Sequence, residues 1–377
     1  MRTYLGLYCL IATAAPELMR VPHGGIQPQV AVDSTGSIHM IYFAGEAAGG
    51  DLFYVRSSDG GKTFSQPLRV NSQAGSAIAM GTIRGGQIAL GAGGWIHVAW
   101  NGSNKAEPKG VVNPDMGQAG SPMLYSRLRK GAAEWEPQRN LMRKTYGLDG
   151  GGTIAADARG GVFVAWHGKG PNAAKGEAGR EVWIARSADH GATFAGEAVA
   201  WDGAAGACGC CGMKLASARD GGLTALFRSA TQDIHRDIYT LTSAGGAAKF
   251  EGVKTHEWEI NACPMSAMSI AEGPGGGMML AWETAGQVYW KPAASKAPPI
   301  SPSGGASKRK HPSLAAGGGV VLLTWTEGTG WQKGGSLAWQ AFTPDGKAGE
   351  AGAAPGVPVW SFPAAAALPG GRFVIFY

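Results

Sequence analysis

The sequence predicts an all-β protein, a β-propeller built from four-stranded antiparallel blades. Three observations support this prediction: a hairpin pattern that recurs along the chain, 62 glycines in 377 residues, and short apolar runs that carry many of the 13 tryptophans. The glycines show no three-residue period, which excludes collagen, and the apolar content argues against disorder. Many tight turns between short strands need abundant glycine, as all-β folds do.

The inner half of the repeat is a hairpin that pairs a strand of small residues with an apolar strand across a glycine-rich turn. The first copy spans residues 27–45, and an outer strand pair follows it at 52–70. The hairpin recurs at residues 87–102, 152–168, 213–230, 268–285, 313–328 and 362–377. Small residues suit the inner strand of a propeller blade, which packs close to the axis.

The outer strand pair recurs six times, beginning at Tyr54, Tyr125, Ile184, Tyr239, Val288 and Ala338. The intervals are about 50–70 residues, and a four-stranded blade needs about 45–55. The longest interval contains an insertion near residues 101–121. Seven inner hairpins favour seven blades, the last completed by N-terminal strands near residues 4–10 and 18–21 so that no edge stays open. A six-bladed ring is the alternative.

Two segments, residues 57–64 and 187–194, fit the pattern S-x-D-x-G-x-T-F at the turn between the third and fourth strands of their repeats. The Asp carboxylate can accept hydrogen bonds from the turn, and glycine provides a conformation that other residues resist. On these motifs the chain resembles the sialidase (BNR-repeat, Asp-box) superfamily over nearly its whole length. The resemblance implies that these turns face away from the active site, so we assign Asp59 and Asp189 no catalytic role.

Alternate turns of a blade lie on opposite faces of the ring. The turn between strands two and three shares a face with the crossing into the next blade, which gathers segments 208–211, 228–237 and 256–265 at one mouth. Convergent charged groups are the default hypothesis for a site. These segments also resemble a bacterial sialidase-like group with a Cys-x-Cys-Cys motif, matched here by Cys208–Cys211, Arg236–Ile238, Trp258 and Cys263–Pro264.

The sialidase resemblance implies three arginines that clamp a carboxylate, a Tyr activated by Glu, and an acid/base Asp, because a guanidinium offers a planar charged fork. The match is incomplete: Arg20 lies too far ahead of the first strand, no third clamp Arg is found, and Tyr289 with Glu283 is a guess for the Tyr/Glu pair. The candidate catalytic residues are Arg228 and Arg236 for an anionic group, Asp233 or Asp237 for proton transfer, and Asp51 near the place of the family's acid/base Asp.

Four cysteines lie in the gathered segments: Cys208, Cys210, Cys211 and Cys263. In an exported protein they predict disulfides first, with Cys263 paired to one of the other three because a bond between adjacent cysteines is strained. The alternatives are free or redox thiols, or a metal site in which His235, His256 or Met265 can replace a thiolate. Four sulfurs suit Zn(II), and thiolate with thioether suits Cu(I).

Residues 1–15 have two interpretations. Arg2 followed by the apolar run 4–15 resembles a short signal peptide, and the alternative is a strand that closes the propeller. Export is favoured because proteins of the resembled superfamily are commonly exported, so we expect a secreted or periplasmic protein. Residues 16–377 are predicted to form a single propeller domain.

Charge and hydropathy limit the partners. The net charge is +6, and the densest basic run, Lys308–His311, is interpreted as a solvated loop and not as a nucleic-acid patch. No apolar stretch reaches the ~18–20 residues of a membrane span. We expect a monomer whose partner is a glycan or another anionic small ligand.

Two functions follow from these observations. The first is an exported glycoside hydrolase of the exo-alpha-sialidase type, which acts on an anionic glycan and requires no cofactor. The second is a non-catalytic propeller that binds a glycan, a protein or a metal, with the cysteines at the funnel mouth. Because one fold hosts many functions, the superfamily resemblance does not choose between them.

Overall fold

The computed structural model describes residues 15–245, 247–305 and 308–377. Within these ranges the chain forms strands and three single-turn 3-10 helices, Pro22–Gly24, Ala92–Gly94 and Pro369–Gly371, but no α-helix. The strands are β1 (Glu17–Met19), β2 (Ile26–Val32), β3 (Ile38–Ala44), β4 (Asp51–Ser57), β5 (Leu68–Arg69), β6 (Gln87–Leu90), β7 (Trp95–Asn101), β8 (Val112–Asn113), β9 (Gln118–Ala119), β10 (Met123–Arg129), β11 (Arg139–Asn140), β12 (Thr153–Ala156), β13 (Val162–Gly168), β14 (Glu181–Ser187), β15 (Ala198–Val199), β16 (Lys214–Ser217), β17 (Leu223–Arg228), β18 (Ile238–Ser243), β19 (Glu251–His256), β20 (Ser269–Glu272), β21 (Met278–Thr284), β22 (Gln287–Pro292), β23 (Arg309–Gly317), β24 (Val320–Glu327), β25 (Gly335–Phe342), β26 (Ala348–Val357), β27 (Ala364–Leu368) and β28 (Arg372–Phe376).

Seven sheets form the blades of a ring. Blade I contains β2–β5, blade II β6, β7, β10 and β11, blade III β12–β15, blade IV β16–β19, blade V β20–β22, blade VI β23–β26, and blade VII β27, β28 and β1. The innermost strands contact one another in the order β2, β6, β12, β16, β20, β23 and β27, and β27 contacts β2. The ring therefore closes after seven blades, which confirms the seven-bladed prediction and makes the six-bladed alternative wrong.

Small hydroxyl residues join neighbouring inner strands. Thr153 Oγ1 accepts a hydrogen bond from the backbone N–H of Leu215 (2.9 Å), and Ser269 Oγ accepts one from Leu314 (3.0 Å). Ser313 Oγ accepts one from Ala365 (3.1 Å). Inner strands of adjacent blades are too divergent for a full ladder, so these hydroxyls satisfy backbone donors that would otherwise be buried without partners.

A separate hydrophobic cluster fills each interface between adjacent blades, and tryptophans at the ends of the second strands anchor four of them. Trp100 packs between blades I and II, Trp166 between II and III, Trp282 between IV and V, and Trp325 between V and VI. All four are buried. A buried Trp removes roughly 150–250 Å² of surface from water, so the recurrent Ala-Trp and Thr-Trp endings of the repeat are core positions.

Blade VII joins the two ends of the described chain. Glu17, Leu18 and Met19 pair in parallel with Val374, Ile375 and Phe376. The predicted closing strand near residues 18–21 is therefore present, shifted to 17–19, and its parallel pairing departs from the antiparallel prediction. The other predicted strand, residues 4–10, and the interpretation of residues 1–14 as a signal peptide lie outside the described residues.

The insertion predicted near residues 101–121 contains the short hairpin β8–β9, which lies between the second and third strands of blade II. The connection therefore protrudes on the same face as the other turns between second and third strands. No helix in the described part of the chain is long and apolar enough to cross a membrane.

The basic run at 308–311 is not a solvated loop, and that interpretation is wrong. Arg309 and His311 are buried in β23. Arg309 Nε lies 3.0 Å from Glu327 Oε1, and its guanidinium lies 5.1 Å from the centre of the Trp325 ring. Lys310 donates to the carbonyl of Pro264 (2.7 Å). Arg309 and Lys310 therefore bind local partners, and the run contributes to the packing between blades V and VI.

The two S-x-D-x-G-x-T-F turns have the same hydrogen bonds. In the first, Asp59 Oδ1 accepts from Ser57 Oγ (2.7 Å) and from Thr63 N (3.0 Å), and Asp59 Oδ2 accepts from Thr63 Oγ1 (2.6 Å). Asp189 makes the equivalent bonds in blade III. Hydrogen bonds from the Thr63 side chain and backbone and from the Ser57 hydroxyl hold the pKa of Asp59 well below its usual value. These aspartates are structural.

Candidate functional site

Hydrogen bonds join the three predicted segments at one mouth of the ring. Cys208 N donates to Arg228 O (2.9 Å), and Arg236 N donates to Trp258 O (2.7 Å). The Asp237 carboxylate accepts from Trp258 N (2.9 Å). The rule of alternate turns therefore brings the cysteine run, the charged loop and the crossing into blade V together, as the sequence predicts.

Three cysteine side chains meet within this region. The Sγ atoms of Cys208 and Cys211 are 2.8 Å apart, those of Cys208 and Cys210 are 3.5 Å apart, and all three lie within 4.8 Å of one another. All three side chains are buried, and Met265 packs against them. We call Cys208, Cys210, Cys211 and Met265 the sulfur cluster. It places three thiol sulfurs where a single ion can contact them, with the Met265 side chain beside them.

The fourth cysteine, Cys263, is exposed at the edge of the sulfur cluster, and its thiol interacts with that of Cys210. No disulfide is found in the described residues, and all four cysteines are free thiols. The other proposed ligands lie elsewhere: His256 Nδ1 accepts a hydrogen bond from Trp282 Nε1 (2.9 Å) and packs on Tyr289. Of the substitutes considered from the sequence, Met265 is the one that joins the thiols.

The loop that carries the thiols is held by its backbone. His167 Nε2 donates to the carbonyl of Cys211 (2.9 Å), and Gly212 N donates to Ser266 O (3.0 Å). Gly209 N donates to Glu177 Oε1 (2.6 Å), and a Cβ at Gly209 would lie 2.8 Å from that oxygen. A side chain at the glycine of Cys-Gly-Cys-Cys would therefore displace the Glu177 carboxylate from its hydrogen bond to the loop.

The pKa values of the buried thiols shift in opposite directions. Hydrogen bonds with Cys210 and Cys211, together with burial, raise the pKa of Cys208. Burial would also raise the pKa of Cys211, but hydrogen bonds from Cys208 and Cys210 and the charge of Arg228 hold it well below its usual value. The three groups thus favour one thiolate stabilised by two thiol donors and a nearby guanidinium.

Both terminal nitrogens of the Arg228 guanidinium have partners within the protein. Its Nη1 donates to Arg236 O (2.8 Å), its Nη2 donates to the backbone carbonyl of Glu283, and Nη2 lies 3.5 Å from Glu283 Oε2. The guanidinium also lies 5.0 Å from the centre of the Trp258 ring. Arg236 pairs with Glu177 Oε2 at 2.5 Å. Neither guanidinium faces solvent. These two arginines therefore do not form an open clamp for a substrate carboxylate.

The candidate acids also have structural partners. Asp233 Oδ1 accepts hydrogen bonds from Glu177 N (3.0 Å) and Ala178 N (3.2 Å). Asp237 Oδ2 lies 3.2 Å from Lys254 Nζ and its side chain is buried. Asp51 lies apart, in blade I, where its Oδ1 accepts from Asn71 Nδ2 (2.7 Å) and Gly75 N (2.8 Å). The structure therefore places Asp233 and Asp237 beside the arginines and leaves Asp51 outside the group.

The remaining sialidase-like positions do not assemble. The register of blade V pairs Glu283 with Val288 and Trp282 with Tyr289, so Glu283 and Tyr289 point to opposite faces of the sheet. Arg20 donates to the carbonyls of Pro355 and Gly356 and lies over the Tyr377 ring, 4.0 Å from its centre. Arg20 therefore secures the seam of the ring.

Sequence reasoning missed three residues of this region: His167, Glu177 and Arg180. They lie at the end of β13 and in the connection to β14, which is the turn between strands two and three of blade III. The same rule of alternate turns places this connection at the mouth, so the position of Glu177 was recoverable from the sequence. Its contacts with Gly209 and Arg236 were not, since they depend on the paths of two loops.

Comparisons with solved structures show the same architecture at low sequence identity. A protein of unknown function from Dyadobacter fermentans matches with a TM-score of 0.52 and 15% identity, over 90% of this chain and 96% of that one. The Penicillium chrysogenum alpha-L-arabinanase matches with a TM-score of 0.54 and 12% identity, over 86% and 95%. The Trypanosoma rangeli sialidase matches with a TM-score of 0.53 and 12% identity, over 83% of this chain and 54% of that one.

A Hadza microbial sialidase matches with a TM-score of 0.51 and 14% identity, over 80% of this chain and 63% of that one. The chain thus spans about half to two thirds of these two sialidases. No protein-family model and no curated protein matches the sequence. At such identities the likeness concerns the architecture of the ring and not its chemistry. The fold of this protein is the propeller fold that sialidases and the arabinanase share.

Proposed function

We propose that this protein binds a soft metal ion in the sulfur cluster. The observation that carries the proposal is the convergence of three buried thiol sulfurs within 4.8 Å of one another, with the Met265 side chain packed against them. Three buried cysteine side chains in mutual contact are typical of a metal site or a disulfide. No disulfide is present among the described residues.

The donor set favours Cu(I). Thiolate together with thioether sulfur is the soft donor set that Cu(I) prefers, whereas a structural Zn(II) site would use four thiolates or thiolates with imidazole nitrogen. The exposed Cys263 next to Cys210 offers a fourth thiol for an ion that requires tetrahedral coordination. We therefore rank Cu(I) first and Zn(II) second.

The surrounding charges suit a thiolate–metal centre. Three thiolates with one Cu(I) carry a net charge of −2, and a buried charge must be compensated. Arg228 and Arg236 lie beside the loop: Cys208 donates its N–H to Arg228 O, and although burial lowers the pKa of Arg236, the negative charge of the thiol cluster and of Glu177 raises it. In this proposal the arginines stabilise the metal centre and do not clamp a substrate.

The test is metal analysis of the full-length protein. Protein purified under reducing conditions without added metal is loaded with Cu(I) or Zn(II) against a competing chelator. We expect about one ion per chain, and a loss of at least tenfold in affinity for Cys208→Ser and Cys211→Ser. Thr35→Ser, a hydroxyl-to-hydroxyl change remote from the cluster, is the matched control. Fewer than about 0.1 ion per chain with a thiol count that reveals a disulfide would overturn the proposal in favour of the disulfide prediction.

A second candidate is glycan binding, or hydrolysis of an anionic glycan by an exo-glycosidase. The observation that favours it is Trp331, which is 56% exposed at the same mouth and packs edge-on against Trp360 with ring centres 4.7 Å apart. Exposed aromatic faces are typical platforms for ligands. The architecture shared with a sialidase and an arabinanase gives a further, fold-level reason.

This second candidate is tested with aryl sialosides and aryl arabinofuranosides, and by glycan binding. Because Trp331 is exposed, Trp331→Ala should fold normally and should lose binding. Absence of turnover with both substrate classes and of glycan binding by the wild-type protein would count against the candidate.

Export from a bacterial cell, to the periplasm or beyond, stays a proposal that rests on Arg2 and the apolar run 4–15. The test is N-terminal sequencing of the mature protein from the periplasm or medium. Recovery of a chain that retains residue 2 in the cytoplasm would contradict it. The monomeric state is likewise proposed, and light scattering of the purified protein tests it.

A further inference from the structure

A cavity of about 270 Å³ runs along the axis of the ring. The innermost strands of the blades line it, and many of the lining residues are small, among them Ala89, Ala156, Ala216 and Ala364. Because a water molecule occupies roughly 30 Å³ in the liquid, this volume can contain several waters or one small polyatomic ion. The cavity lies below the sulfur cluster and does not include it.

Lys214 provides the charge of the cavity. It is the one Lys or Arg among the described residues that line the space, and no Asp or Glu lines it. The Lys214 ammonium donates to Gln87 Oε1 at 2.7 Å and lies 3.2 Å from Gln29 Oε1. These two carboxamides orient the ammonium but do not neutralise it, so the charge of this partly buried lysine has no carboxylate partner in the cavity.

Several other polar groups in the cavity can donate hydrogen bonds. Since Gln29 and Gln87 turn their oxygens to Lys214, their NH₂ groups stay available to another partner. Ser269 and Ser313 accept backbone N–H bonds from neighbouring strands, so their hydroxyl hydrogens are also available. His311 lines the cavity, and burial together with the charge of Lys310 lowers its pKa to about 3. The wall is therefore cationic and rich in donors.

We propose that the axial cavity binds one small oxyanion, held by the Lys214 ammonium and by the amide groups of Gln29 and Gln87. Oxyanions accept several hydrogen bonds at once and compensate a partly buried ammonium, and charge-assisted hydrogen bonds are the strong ones. An inorganic oxyanion and a short carboxylate share this chemistry. The site is independent of metal binding, because none of the sulfur ligands lines the cavity.

The experiment uses the full-length protein at constant ionic strength, with sodium chloride as the reference salt. Sulfate, phosphate and acetate are compared by calorimetric titration and by thermal unfolding. We expect saturable binding of about one anion per chain, with a rise in Tm that follows the ligand concentration. Tighter binding of sulfate and phosphate than of acetate identifies an inorganic oxyanion, and the reverse order identifies a carboxylate.

Two variants test the role of the charge. Lys214→Met removes the ammonium, and Gln87→Glu retains it but supplies an internal carboxylate partner of nearly the same size. Each variant should weaken anion binding at least tenfold, while Lys62→Met, which alters an exposed lysine in the turn after β4, should bind as the wild type does. Gln87→Glu keeps the test decisive if Lys214→Met does not fold.

The proposal is overturned if no anion shows saturable binding, so that the cavity contains water alone. It is equally overturned if Lys214→Met or Gln87→Glu binds sulfate with wild-type affinity, or if chloride produces the same change in Tm as sulfate.

Discussion

Arg228 and Glu283 form a buried ion pair between blades IV and V, with Nη2 and Oε2 3.5 Å apart and side chains that are 0% and 2% exposed. Burial raises the pKa of Glu283, and the charge of Arg228 opposes that rise. The pair explains why an arginine at the end of an inner hairpin strand resembles a clamp in sequence yet has no free fork in three dimensions.

Removing one member of this pair should be strongly destabilising. Arg228→Met leaves a buried carboxylate without its partner, and we expect a loss of about 3–5 kcal/mol in the free energy of unfolding, measured with urea. The double variant Arg228→Met/Glu283→Gln should recover part of that loss because no charge is left unpaired. A stable Arg228→Met protein would contradict the structural role of the pair.

Met265 should decide the metal preference of the sulfur cluster. Met265→Leu preserves the volume and removes the thioether, so we expect a weaker Cu(I) complex and little change in Zn(II) affinity. Competition titrations with both metals measure this ratio. Equal losses for the two metals would show that Met265 acts through packing and not as a ligand.

The turn around Asp59 should make the stability of the protein depend on pH in the acid range. Its pKa is lowered in the folded protein, so its contribution is present above the unfolded value of about 3.9 and is lost as the pH falls below that value. Asp59→Asn should therefore reduce stability at neutral pH and show a smaller further loss on acidification. Urea unfolding at a series of pH values measures the difference, and parallel curves for the two proteins would refute it.

Sulfate binding in the axial cavity should weaken in alkali. Burial lowers the pKa of Lys214 to about 8, and the ammonium is the form that binds the anion. His311 is the other titratable group among the described lining residues, and with a pKa of about 3 it stays neutral throughout this range. We expect the sulfate affinity to fall as the pH rises through about 8. A constant affinity between pH 7 and 10 would exclude Lys214 as the charged partner.

The seam between the chain ends should be required for stability. A chain that begins at Pro16 retains β1, whereas one that begins at Val21 lacks it and leaves the edge of β28 unpaired. We expect the shorter chain to unfold at lower temperature and to aggregate, because an open edge strand pairs with other chains. Thermal unfolding with light scattering compares them, and equal Tm values would show that β1 is dispensable.

The order of the strands could be predicted from the sequence because each inner hairpin repeats the same composition. The gathering of Cys208–Cys211 with Arg236 at one mouth followed from a rule about turns, which needs no side-chain detail. The roles of Arg228 and Asp233 could not be predicted, since Arg228 pairs with a residue of the next blade and Asp233 caps a loop of the preceding one. Such pairings join segments about 55 residues apart and leave no local pattern.

The same limit applies to the seam and to the basic run. The parallel pairing of residues 17–19 with residues 374–376 depends on which end reaches the edge of blade VII, and composition does not determine that direction. In the sequence Arg309 lies in a basic run typical of the surface. In the structure it contacts the Glu327 carboxylate and the Trp325 ring of the adjoining strand. In both cases, contacts with residues distant in sequence determine the local structure.

The pairing of β1 with β28 also has a consequence for biosynthesis. On the ribosome, residues 17–19 emerge early and must wait until residues 372–376 have been made before they find their partner. Until then every growing chain is an open arc whose first blade exposes the apolar face that later packs against blade VII. A nascent arc of this kind is exposed to misassembly with its neighbours, so dilution or chaperone capture during translation should improve the yield of closed rings.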